Sequence, residues 1–103
     1  IQKANEFAIE IPLEVISHCL RIIEFSEELI DNGNPNLVSD AGVSAEVSLT
    51  GVRGSAMNVL INLIGIDDDS YCNKKRKLVH KLINDAEKNW KIVFDKTMKK
   101  IIS

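Results

Sequence analysis

The stretch of residues 36–64 constrains the fold more than any other part of this 103-residue chain. Its apolar positions recur at helical spacing on two sides at once. One side carries Val43, Val47, Met57, Ile61 and Ile64, and the other carries Ala45, Leu49, Val52, Ala56, Val59 and Leu63. A helix that is apolar on most sides is buried on most sides. We therefore expect a central helix that starts between Asn36 and Asp40 and runs to about Leu63.

Amphipathic helices are expected on both sides of this central helix. Residues 13–31 place polar side chains on one face and apolar ones on the other, and Gly33 with Pro35 marks the end of that helix. After Gly65, the acidic segment DDDS at 67–70 suits the first turn of a last helix. No strand pattern occurs, so the sequence predicts an all-α fold.

Pro12 is expected to end a first helical segment and to begin the helix of residues 13–31. Ile1, Ala4 and Ala8 recur at helical spacing, so the apolar pattern of a helix is present from the first residue. That first residue is not methionine. We therefore expect an upstream half of the domain that this chain lacks.

Residues 1–103 are expected to form one domain of long antiparallel helices that make up part of a helical bundle. Two amphipathic helices cover about two sides of the central one. Three elongated helices of this size also bury little surface in total. The central helix therefore needs further helices, from the upstream region or from another subunit, and we expect a dimer.

Composition and charge exclude several classes of function. A net charge of −2 argues against nucleic-acid binding. No apolar run reaches the roughly 18 residues of a membrane span, and no signal peptide is present. Cys19 and Cys72 match no metal or redox spacing, so no metal is expected and a cytoplasmic location is the default. The basic run KKRK at 74–77 and both histidines are expected on solvated faces, although the run could attract an anionic ligand tail.

The segment GNPNLVSDAG at residues 33–42 allows two interpretations. Its residue types are those of a helix–helix connection, and Ser39 or Asp40 could cap the central helix. Composition alone favours this turn. A helix N-terminus also presents free N–H groups that attract anions, which is a general property.

Small and polar residues share one side of the central helix with Asp40. At 100° per residue, five of them project within about 60° of it: Ser44, Gly51, Ser55, Asn58 and Asn62. Close packing of another helix against this side would explain the glycine and the serines, because small residues let two helices approach each other. It explains the two asparagines less well, because each needs a hydrogen-bond partner if it is buried.

Three motifs stand in order along the chain: IPLEV at 11–15, GNPNLVSDAGVSA at 33–45 and GSAMNVLINL at 54–63. Together they resemble the C-terminal half of the cyclodeaminase/cyclohydrolase domain of the formiminotransferase-cyclodeaminase family. The resemblance implies a larger all-helical domain that forms dimers, with a folate-binding groove near the subunit contact. The serine-, proline- and glycine-rich stretch of the family's N-terminal half is absent here.

The resemblance also implies a function. The chain is expected to act as a formiminotetrahydrofolate cyclodeaminase or a methenyltetrahydrofolate cyclohydrolase, with a tetrahydrofolate derivative as substrate and no metal. Asp40 is the expected catalytic residue, acting as acid or base, as a charge that stabilises a cation, or as an anchor for the pterin. The expected substrate-binding residues are Asn34, Asn36, Ser39, Asn58 and Asn62. The alternative is a non-catalytic helical assembly module that retains the fold.

Overall fold

The computed structural model describes residues 3–102, with the side chain of Lys3 left out, and confirms the all-α expectation for them. They form α1 (Lys3–Asp31), α2 (Pro35–Leu63) and α3 (Asp69–Ile102). The helices lie side by side in a bundle of 53 × 19 × 16 Å. Asn62, near the end of α2, contacts Ala8, near the start of α1, so these helices are antiparallel. The short connection from α2 to α3 reverses the chain again.

Pro12 does not divide α1, so the predicted helix break is wrong. Proline has no N–H group for the carbonyl four residues earlier, which is that of Ala8. Asn62 Nδ2 donates to this oxygen at 3.1 Å and replaces the lost bond. Ile9 and Leu13, on either side of the proline, are both buried in the core. The core therefore holds both parts of α1 in line.

α2 starts at Pro35, one residue before the predicted range. Asn34 caps it, because its side-chain oxygen accepts from the Asn36 N–H at 2.9 Å. Proline fits the first helical position, where its missing N–H has no partner to lose. The expectation that Ser39 or Asp40 caps α2 is therefore wrong, since both lie inside the helix.

The two apolar sides of α2 have different environments. One side is buried in the core of the bundle. Its residues are at most 4% exposed: Ala45, Leu49, Val52, Ala56, Val59 and Leu63. The other side, here called the outer face, has side chains that are 60–74% exposed: Val43, Val47, Met57, Ile61 and Ile64. Within residues 3–102, α2 thus has apolar surface that α1 and α3 leave uncovered.

α3 is capped at its start and linked to α1 near its end. The Asp68 carboxylate accepts from the Tyr71 N–H at 3.0 Å and caps the first turn. Near the other end, Lys96 Nζ lies 2.8 Å from carboxylate oxygens of Glu27 and Asp31. These hydrogen bonds raise the pKa of Lys96. Lys96 therefore links the C-terminal parts of α1 and α3, which run parallel.

Two glycines of α2 are expected to respond oppositely to alanine. A Cβ on Gly42 would lie 2.7 Å from Cγ2 of the buried Thr97, whereas a Cβ on Gly54 would meet nothing within 4 Å. We expect Gly42→Ala to lower the free energy of unfolding by about 1–3 kcal/mol through overpacking. Gly54→Ala should raise it by up to about 1 kcal/mol through helix propensity.

Urea unfolding followed by circular dichroism, at a protein concentration where the chain is monomeric, measures both changes. A gain in stability for both variants would contradict the close approach of α2 and α3 at Gly42.

Candidate functional site

Three polar residues predicted for the site lie on the outer side of α2. Helical spacing places Asn36, Asp40 and Asn58 within about 40° of one line along the helix. All three are exposed. Asp40 and Asn58 form no hydrogen bond or ion pair with the described part of the chain. The carboxylate and the amide are thus free to bind a ligand.

Distance prevents these residues from contacting one small group together. Asp40 and Asn58 are five helical turns apart, about 27 Å along the axis. The apolar side chains of Val43 and Val47 lie between them. A ligand that touches both ends must therefore be long, with an apolar middle part.

Asn34 and Ser39 line separate clefts. Ser39 borders an apolar cleft of about 200 Å³ between the start of α2 and the end of α3. Asn34 borders a cleft of about 310 Å³ between the end of α1 and the start of α2. Asp40, Asn58 and Asn62 line neither cleft. Neither of these two clefts therefore gathers the predicted site residues.

Asn58 and Asn62 differ although they are one turn apart. Asn62 uses its amide to bond the Ala8 carbonyl of α1. Asn58 has no partner within residues 3–102. Asn62 thus contributes to the contact between helices, while Asn58 is available to something outside the described chain.

A second row of exposed apolar side chains runs along α1 beside α2. Its members are 40–64% exposed: Phe7, Ile11, Val15, Ile22 and Phe25. Helical spacing places this row next to Cys19 on α1. Cys19 packs closely against Gly51 of α2, because a Cβ added to this glycine would lie 2.8 Å from the Cys19 sulfur. The row and the outer face of α2 thus adjoin across the α1–α2 seam.

We call the combined surface the apolar face. Its ten large side chains expose on the order of 1,000 Å², well above the few hundred Å² usual for one patch on a monomer. A surface of this size is typical of an interaction site.

The remaining candidates are structural or solvated. Lys74, Arg76 and Lys77 are exposed, as are both histidines, which confirms the solvated interpretation for them. Lys75 is half-buried and pairs with Glu10 at 3.2 Å, so the interpretation is wrong for this member of the run. Burial raises the pKa of the Cys19 thiol. In residues 3–102, no group of three or more His, Cys, Asp or Glu side chains could hold a metal ion. No helix in the same range has the length and apolar character needed to cross a membrane.

Two links between α2 and α3 were not predicted from the sequence. Trp90 donates its indole N–H to Glu46, and Arg53 pairs with Glu87 at 2.8 Å. The only available signal was that Glu46 and Arg53 are two of the few charges on an apolar helix. Both pairs orient α3 along α2 and leave the outer face open.

Comparison with known proteins identifies the family. The sequence profile described as Formiminotransferase-cyclodeaminase matches residues 1–81. The chain is 34% identical over 86 residues to the methenyltetrahydrofolate cyclohydrolase of Methylorubrum extorquens, covering 84% of this chain and 41% of that protein. It is 32% identical over 87 residues to the formimidoyltransferase-cyclodeaminase of Rattus norvegicus, covering 84% of this chain and 16% of that protein.

A further relative covers more of this chain. The formimidoyltransferase-cyclodeaminase of Sus scrofa is 30% identical over 96 residues, which is 93% of this chain and 18% of that protein. The chain thus spans less than half the length of the curated relatives it matches. The profile, however, covers most of the chain, and it includes all three motifs that carry the resemblance. The chain therefore belongs to the formiminotransferase-cyclodeaminase family.

Proposed function

We propose that this chain is the C-terminal half of a folate-dependent one-carbon enzyme domain. Its reaction is that of a formiminotetrahydrofolate cyclodeaminase or a methenyltetrahydrofolate cyclohydrolase, the two activities named for its relatives. The observation that carries the proposal is the position of the family motifs. They place the carboxylate of Asp40, which has no partner within residues 3–102, on an exposed helix face whose polar ends flank an apolar middle.

The chemistry of folate suits this face. The amide-like edge of a pterin both donates and accepts hydrogen bonds, as the amide side chains of Asn34 and Asn36 do. We assign the pterin to this end of α2, with Ser39 as a further polar contact. The apolar Val43 and Val47 suit the aromatic linker, and Asn58 suits the far part of the ligand. In this assignment the ligand lies along α2, with the pterin at the start of the helix and the far part directed toward Asn58.

In the cyclodeaminase reaction, N10 attacks the carbon of the N5-formimino group and forms the N10–C bond. The C–N bond to the imino nitrogen then breaks, ammonia leaves, and the cationic methenyl product remains. Cyclohydrolase chemistry instead adds water to the methenyl carbon, and ring opening gives the formyl product. Both directions require proton transfer near the one-carbon unit and a negative charge beside the cation. Asp40 supplies this charge.

The apolar face supports a second part of the proposal. We assign a homodimer in which a partner subunit covers this face and completes the folate groove. The greater length of the relatives indicates an alternative. Further helices of a complete domain could pack on the apolar face in place of a partner subunit.

A non-catalytic assembly module is the competing function, and the size of the apolar face favours it. Titration with 5-formyltetrahydrofolate, followed by calorimetry, separates the two functions. We expect micromolar binding by the complete protein. An absence of binding by the complete protein would support the assembly module.

Asn58→Ala is expected to weaken binding of 5-formyltetrahydrofolate about tenfold, which corresponds to one lost hydrogen bond of roughly 1.4 kcal/mol. The melting temperature should barely change, because the Asn58 amide has no partner in the described chain. Thermal melts and calorimetry measure the two effects. Asn84→Ala, at an exposed position of α3, is the matched control and should change neither. A lowered melting temperature with unchanged affinity would assign Asn58 to packing.

A further inference from the structure

The bond between Asn62 and Ala8 has an unusual origin. Within a regular helix, the Ala8 carbonyl would accept from the N–H of residue 12. Residue 12 is proline, so that donor does not exist. Asn62 Nδ2, on another helix, lies 3.1 Å from the freed oxygen. A side chain 50 residues further along the chain thus replaces a backbone donor.

The segment before the proline, residues 3–11, is here called the arm. It is held from both neighbouring helices. Glu10 pairs with Lys75 of α3 at 3.2 Å, and Ala8 accepts from Asn62 of α2. Ile9 is fully buried in the core. Of these contacts, the bond from Asn62 acts directly beside the proline, where the helix has lost its own hydrogen bond.

The arm also forms one edge of the apolar face. Phe7 and Ile11 are 64% and 58% exposed, and they belong to the row that adjoins α2. Asn58 lies one turn before Asn62 on α2. The position of the arm therefore determines where these two side chains lie relative to Asn58.

We propose that Asn62 is a positioning residue, which substitutes for the donor missing at Pro12 and holds the arm against the end of α2. Asn62 acts through the arm and does not contact the ligand. Its effect on folate binding rests on the function proposed above, whereas its effect on the arm does not.

A double-mutant cycle on the full chain tests the proposal. Pro12→Ala restores an N–H group that can bond the Ala8 carbonyl, so Asn62 is no longer needed as its donor. We expect Asn62→Ala alone to lower the melting temperature by about 4–8 °C. In the Pro12→Ala background, Asn62→Ala should lower the melting temperature by less than half as much. An equal loss in both backgrounds would overturn the proposal.

Hydrogen exchange locates the effect. In Asn62→Ala, the amides of residues 7–11 should exchange about tenfold faster relative to those of residues 20–30, and Pro12→Ala should restore them. Asn62→Asp keeps the side-chain shape but has no donor at neutral pH, so it should lose at least as much stability as Asn62→Ala. An Asp variant with normal stability and exchange would show that Asn62 only fills space. Asn58→Ala, one turn away, is the control and should show no coupling to Pro12.

Folate binding separates this proposal from the proposed function. If the chain binds 5-formyltetrahydrofolate, Asn62→Ala should weaken binding severalfold and Pro12→Ala should restore it. Binding that is unchanged in Asn62→Ala, while the arm exchanges faster, would overturn the link between arm and ligand. If the unaltered complete protein does not bind the compound, the proposed function fails, and the stability cycle still decides whether Asn62 holds the arm.

Discussion

Asp40→Asn in the complete protein is expected to reduce turnover by about a thousandfold or more, the range for losing a general acid–base group or a charge that stabilises the transition state. The amide keeps the shape of the carboxylate but loses its charge and its basicity. Stability should change by no more than about 0.5 kcal/mol, because Asp40 is exposed and has no partner within residues 3–102. Steady-state kinetics and thermal melts measure the two quantities.

The kinetic pattern distinguishes the roles open to Asp40. Loss of an acid, a base or a cation-stabilising charge lowers kcat, whereas loss of a pterin anchor that binds substrate and transition state equally raises KM and leaves kcat unchanged. Asp67→Asn, at an exposed carboxylate between α2 and α3, is the matched control and should retain full turnover. Unchanged turnover in Asp40→Asn would remove Asp40 from the mechanism.

The chain is expected to form dimers or higher oligomers in solution. About 1,000 Å² of apolar surface from each of two copies reaches the size of a standard protein–protein interface. Light scattering with size-exclusion chromatography measures the mass. Ile61→Asp, in the outer face of α2, should raise the dissociation constant at least a hundredfold, since burying an unpaired charge costs several kcal/mol.

Lys77→Glu is the matched control for assembly. Lys77 is exposed on α3 and lies outside the apolar face, so its reversal should leave the mass unchanged. A well-folded, monodisperse monomer of the unaltered chain would contradict the predicted dimer. Chemical labelling of Met57 tests the alternative cover. If Met57 is labelled in this chain but protected in a longer form of the protein, helices of the complete domain cover the apolar face.

The sequence by pattern alone determined the helical class, most helix ends and the family, but not the continuity of α1 through Pro12. Hydrophobic spacing predicted the end of α2 near Leu63, and the segment DDDS at 67–70 predicted the acidic start of α3, both without reference to any distant residue. It also predicted that α2 has more apolar surface than two neighbours can cover. The three motifs at 11–15, 33–45 and 54–63 together indicated the family, and the profile match over residues 1–81 confirms it.

The tertiary structure decided what depends on residues far apart in the chain. The continuity of α1 through Pro12 required Asn62, a donor on another helix, which no local rule for proline includes. Both sides of α2 are apolar, so its residue types do not distinguish them. The positions of α1 and α3 bury the side that contains Val52 and leave the outer face exposed. The same positions give Asn62 a partner and leave Asn58 without one among the described residues, because a hydrogen bond between helices depends on their packing and not on residue type.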